Sequence, residues 1–157
     1  MLDKARRFVD KSLASVLSVL MFALLVDVVW QVFSRYVLRD PSSFTDELAR
    51  YLMIWVALLG AAYVTGQRMH LAIDLLVQRF SGRWPQVFTH LVIGFFAVFV
   101  LIIGGSRLVN ITLELGQQSA ALRIPLGYVY LVLPLSGGVI LFYALSELGS
   151  TINQSQE

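Results

Sequence analysis

The sequence predicts an all-α integral membrane protein, with four transmembrane helices and a short amphipathic interfacial helix between the second and third. Hydrophobic residues make up 57% of the 157-residue chain and charged residues 14%, about half the charged share of a soluble domain. The mean hydropathy is +0.74. The apolar residues gather in runs at about 12–37, 44–66, 86–114 and 125–148. Each is long enough to cross a hydrocarbon core of about 30 Å at about 1.5 Å per residue. The connections leave no room for a soluble unit, so residues 1–157 form a single membrane domain.

The first run follows a basic start, Lys4, Arg6, Arg7 and Lys11, that resembles a signal peptide. It continues without a small-residue cleavage site, so an uncleaved span is expected. From Phe8 to Val37 a helix would be about 45 Å long, so it must tilt or begin in the interface. Asp27 is its interior charge, and Trp30 and Tyr36 mark the far boundary. A tight turn from Leu38 to Phe44, with Pro41 inside it, leads into the second run. Ser43 and Asp46 have the spacing of a capping box, and Arg50 shares a helical face with Asp46 and Glu47. Trp55 then lies about one turn inside, Ala57, Gly60, Ala61 and Ala62 offer a small-residue face for another helix, and Gly66 ends the run.

Beyond Gly66, Met69, Ile73, Leu76 and Phe80 fall on one helical face, while His70, Asp74 and Gln78 fall on another. That pattern suits a helix over about 69–80 lying in the membrane surface, in contact with lipid. Trp84-Pro85 opens the third span, which continues past Arg107 towards Leu115. The turn-rich stretch GQQSAALRIPLG follows, and Pro125 starts the fourth span. Pro134 and Gly137-Gly138 predict a kink there, or close packing against a neighbour. Seven of the twelve lysines and arginines fall on the amino-terminal side of the membrane, which predicts cytoplasmic termini.

Several chemistries find no support in the sequence. The chain has no cysteine, so disulfides and thiolate metal sites are excluded. His70 and His90 have no ligand partner at metal spacing, and Ser106 and Ser136 have no histidine at comparable depth to activate them. No cofactor and no catalytic or metal site is expected in this chain. The arginines flank apolar runs in the manner of membrane borders, so no nucleic-acid partner is expected. Asp27, Arg35, Glu47 and Arg50 are the candidate structural ion cluster, with Asp27 also the one group suited to a self-standing proton-coupled transporter. Arg39, Asp40, Asp46, Gln118 and Arg123 gather on the predicted outer side, where they suit the polar rim of a docking surface.

Taken together, Arg35-Tyr36, Pro41, FTDELARYLMIWVALLGAAYV, His70 with Asp74, and SAALRIPLGYVYLVLPLS resemble the small, DctQ-type membrane subunit of tripartite ATP-independent periplasmic (TRAP) transporters. The likeness runs over nearly the whole chain. It implies a subunit of the bacterial inner membrane that works beside a larger membrane subunit. That partner is expected to hold the substrate and sodium sites and to move like an elevator. A soluble periplasmic solute-binding protein is implied as the second partner. The resemblance also implies transport of an organic acid of the sialic-acid or dicarboxylate type, with this subunit as scaffold and docking aid.

Overall fold

The computed structural model describes residues 2–40, 42–67 and 84–153. Its helices are α1 (Leu2–Phe33), the π-helical turn π1 (Ser34–Leu38), α2 (Ser43–Gly66), α3 (Trp84–Phe96), the π-helical stretch π2 (Ala97–Gly104), α4 (Gly105–Glu114), α5 (Leu126–Tyr130) and α6 (Val132–Asn153). Four stretches among them are long and apolar enough to span a membrane: Lys4–Leu38, Ser43–Gly66, Leu91–Glu114 and Leu126–Ser146. The proposed interfacial helix, with Met69, Ile73, Asp74, Leu76 and Phe80, lies outside the described residues, as does Pro41.

The spans pack as a row rather than a closed ring. α1 lies against α2, α2 against α6, and α6 against α3 and π2. α2 and α6 are therefore the inner members. Leu13, Leu59, Val132 and Tyr143 form one buried apolar cluster, while Ala62, Ala97, Leu101 and Ile140 form the other. The outer members leave long apolar faces uncovered, including Phe22, Leu25 and Val29 on α1 and Phe88, Phe95 and Phe99 on the third span. Such faces suit lipid or another membrane protein, because neither demands hydrogen bonds from them.

Glycine decides how closely this row approaches. A Cβ on Gly137 would stand 2.7 Å from Leu101 Cβ, and one on Gly105 would stand 2.7 Å from Leu133 Cβ. The third and fourth spans thus meet backbone to side chain at both points. Gly138 and Gly60 have open space around them, and Ala57 and Ala61 are exposed. Of the small-residue face expected on α2, Ala62 alone is buried, against Ala97, Leu101 and Ile140, while Ala57, Gly60 and Ala61 face away from the described helices. Gly66 is the close-contact glycine of α2, since a Cβ there would come 2.5 Å from the Tyr143 ring.

Of the two outcomes expected around Pro134, the close packing is present, and the helix is interrupted at a single residue, Leu131, whose backbone stays right-handed at φ −56° and ψ −25°. Proline lacks an N–H and its ring crowds the carbonyl four residues back, here Tyr130, and the fourth span breaks between α5 and α6 at Leu131. Gly137, one turn on, makes the close contact. The capping box does not form. Ser42 is the N-cap of α2 without a side-chain cap bond, and the Asp46 carboxylate is taken by Gln31 Nε2 at 3.0 Å and Arg50 Nη2 at 3.3 Å.

Candidate functional site

The polar side chains gather at the two ends of α2. At its start, Glu47 projects from the first turns toward the loop between α4 and α5. That loop is tightly folded. Gly116 takes a left-handed φ of 60°, Ser119 N donates to Ile124 O at 2.9 Å, Arg123 N donates to Ser119 O at 3.1 Å, and Leu126 N donates to Gln117 O at 2.9 Å. The fold turns successive N–H groups inward, a concavity of the kind that binds anions. Glu47 supplies the anion. Its Oε1 accepts from Ala120 N at 3.2 Å and Tyr51 OH at 2.7 Å, and its Oε2 accepts from Ala121 N at 2.7 Å and Leu122 N at 3.1 Å. The small side chains of Ser119, Ala120 and Ala121 let the carboxylate approach.

About two turns deeper than Glu47, Trp55 Nε1 donates to Val129 O at 3.1 Å. That carbonyl belongs to the broken helix beside Leu131. Glu47 and Trp55 together fasten α2 to the α4–α5 loop and to α5. Hydrogen bonds to a charged acceptor contribute more than neutral ones.

At the other end of α2, Arg6 Nη2 donates to Gly66 O at 2.5 Å. This places a cation on the last carbonyls, the negative end of the helix dipole. The same guanidinium lies over the Tyr143 ring at 5.9 Å from its centroid, and Tyr143 OH donates to Asp10 Oδ1. Three helices meet there: α1 through Arg6 and Asp10, α2 through Gly66, and α6 through Tyr143.

The four residues expected to form one ionic cluster take separate places. Glu47 bonds to backbone N–H groups and Tyr51, whereas Arg50 pairs with Asp46, with side chains 65% and 61% exposed. Arg50 chooses Asp46 because Glu47 is already saturated by the loop. Asp27 is buried at 7% exposure, and its Oδ2 has no hydrogen-bond partner among the described residues. Arg35 lines a shallow cavity with Gln31, Ser42, Ser43 and Asp46.

The candidate docking residues Arg39, Asp40, Asp46, Gln118 and Arg123 are all exposed. They belong to the π1–α2 linker, the start of α2 and the α4–α5 loop, which stand at the Glu47 end. Among the described residues no three histidine, aspartate or glutamate side chains gather as a metal site. Arg6, Asp10, Trp55 and Tyr143 were not singled out by the sequence as anchors. A faint signal existed for two of them, since Arg6 and Asp10 are four apart and share a helical face.

Against known proteins, the family model for the DctQ component of tripartite ATP-independent periplasmic transporters matches residues 24–154. The chain is 24% identical over 151 residues to a putative TRAP transporter small permease protein of Haemophilus influenzae, covering 96% of this chain and 89% of that one. It is 26% identical over 140 residues to the isethionate TRAP transporter permease protein DctMQ of Oleidesulfovibrio alaskensis, covering 84% of this chain but 22% of that one. The sialic acid TRAP transporter small permease protein SiaQ of Vibrio cholerae is 37% identical over 67 residues, which is 43% of this chain and 36% of that one. The chain thus spans about a fifth of the isethionate permease and nearly the full length of the Haemophilus protein.

Proposed function

This chain belongs to the DctQ family, the small membrane subunits of TRAP transporters, and from that premise we propose that it is a noncatalytic scaffold for the large transport subunit. In this reading the large subunit binds the solute and sodium, and a soluble solute-binding protein docks on the Glu47 end of the pair. The complex sits in the bacterial inner membrane with both termini of this chain in the cytoplasm, so the Glu47 end faces the periplasm. The solute is an organic acid, and the relative named for sialic acid makes that compound the first to try.

One observation carries the scaffold reading: five serine and threonine hydroxyls distributed over all four spans are spent on their own helices. Ser18 donates to Ala14 O, Thr65 to Ala61 O, Ser106 to Ile102 O, Thr112 to Leu108 O and Ser136 to Leu133 O. A hydroxyl bonded back to its own turn does not present its donor to a solute. An organic anion crossing through this chain would therefore leave its charge without donors, at a cost of several kcal/mol. The exposed apolar faces of α1 and the third span, by contrast, offer area for a larger membrane protein. The isethionate relative supports that arrangement, because its matching segment is 22% of a longer permease chain.

Asp27 separates this reading from a self-standing proton-coupled transporter. Asp27→Asn in the reconstituted complex should leave sodium-driven uptake and its apparent sodium affinity unchanged. Loss of uptake with normal assembly would assign Asp27 a coupling role and overturn the scaffold reading.

A further inference from the structure

We propose that Arg107 anchors the third span to the large membrane subunit by pairing, inside the bilayer, with an acidic side chain of that subunit. The proposal rests on the scaffold reading above and names the helix face and the chemistry of the contact.

The observation behind it is an exposed charge within a span. Arg107 belongs to the membrane-spanning stretch Leu91–Glu114 and lies seven residues, about 10 Å, before its end. It points away from the rest of the row. Gly105, Val109 and Thr112 are the buried residues of α4, and Gly105 sits against Leu133 and Pro134 of the fourth span. Arg107 stands about 200° round the helix from Gly105, on an exposed face shared with Asn110 and Ile111. Neither Arg107 nor Asn110 has an ion pair or side-chain hydrogen bond among the described residues. An arginine inside a span is costly, and arginines so placed almost always face protein or a water-filled cavity and find a partner there. This one finds none within its own chain.

Lipid phosphate is a poor partner for it. Side chains on a helix lean toward its amino terminus, which for α4 is toward π2 and the middle of the span. Arg107 therefore leans away from the nearer membrane border at Glu114. Snorkelling to a phosphate at that border would run against this lean over about 10 Å, more than the side chain reaches. Asn110, one turn nearer the border, adds an uncharged donor and acceptor that suit a protein surface.

A second copy of this chain is no better. Of the carboxylates in its spans, Asp10 is taken by Tyr143, Asp46 by Arg50 and Gln31, and Glu47 by the α4–α5 loop. Asp27 is buried, and Glu114 stands at the end of the span. The counter-charge therefore comes from a different membrane protein, and the scaffold reading supplies one in the large subunit.

The test uses the complete complex of both membrane subunits, purified through a tag on the large one. Arg107→Leu places there a residue that lipid favours, and Arg107→Lys keeps the charge. The leucine variant should insert in parent amount, yet about tenfold less of it should co-purify, because the partner's carboxylate is left unpaired. The lysine variant should stay within about threefold of the parent. In an otherwise unchanged chain, p-benzoylphenylalanine in place of Ile111 should cross-link to the large subunit on illumination. Parent-like co-purification of the leucine variant would overturn the proposal. Cross-links from position 111 to phospholipid alone, or to a second copy of this chain, would overturn it as well and assign the face to that occupant. If the leucine variant fails to insert, the cross-link decides. If the parent chain itself does not co-purify with the large subunit, the scaffold reading fails too, an outcome distinct from the others.

Discussion

The two ends of α2 both hold a carboxylate with a tyrosine, yet they hold it for different ends. At the Glu47 end three of the four donors are backbone N–H groups of residues 73 to 75 positions away, so the carboxylate shapes a loop. At the Gly66 end Asp10 is met by the Tyr143 hydroxyl and Arg6 lies over the same ring, so the side chains clamp three helices. A carboxylate served by backbone donors templates a chain segment, whereas one served by side chains fastens elements that are already formed. The first arrangement belongs where a surface must be presented, and the second where packing must be kept.

The comparison can be broken most severely at Glu47. Glu47→Ala removes the acceptor of three backbone N–H groups at once and so frees the loop segment they hold to α2. Hydrogen exchange at Ala120, Ala121 and Leu122 should accelerate by about a hundredfold, while the Gly66 end stays protected. Equal loosening of both ends would show that the loop and the clamp are one unit. Next comes Gly66→Ala, whose Cβ would meet the Tyr143 ring at 2.5 to 2.7 Å. Overpacking of this kind costs about 2 kcal/mol, read as a lower melting temperature of the purified complex without faster exchange in the α4–α5 loop. Tyr143→Phe keeps the ring on Gly66 and removes the hydroxyl to Asp10, for about 1 kcal/mol. A loss as large as that of Gly66→Ala would mean that the hydrogen bond, not the ring contact, holds the clamp. Arg50→Ala should matter least. Its pair with Asp46 is exposed on both sides, and such pairs contribute less than about 1 kcal/mol.

The spans were legible because bilayer crossing imposes a length and an apolar content that local sequence reveals directly. The same holds for the break before Pro134, where one ring and one missing N–H decide the outcome. Glu47 was legible only as a charge at a helix start. Local spacing offered it Arg50, but apart from the Tyr51 hydroxyl its donors are anonymous backbone N–H groups in SAAL, and side-chain chemistry gives no sign of those. Asp46 illustrates the same limit in part: spacing had offered it Arg50, which it meets, but also a cap, and instead its other oxygen is taken by Gln31 from α1. Gly60 and Gly66 look alike in sequence, and which of them meets a neighbour depends on where α6 crosses. The interfacial helix over 69–80 lies outside the described residues and stays an expectation of its periodicity.

The central claim is that this subunit supports transport without carrying the solute. Proteoliposomes holding the large subunit, this chain, or both, with the soluble binding protein outside and an inward sodium gradient, measure it directly with radiolabelled sialic acid and a dicarboxylate as solutes. Uptake of one solute is predicted only when both membrane subunits are present, with full dependence on sodium. Full uptake by the large subunit alone, or sodium-independent uptake by this chain alone, would contradict the account.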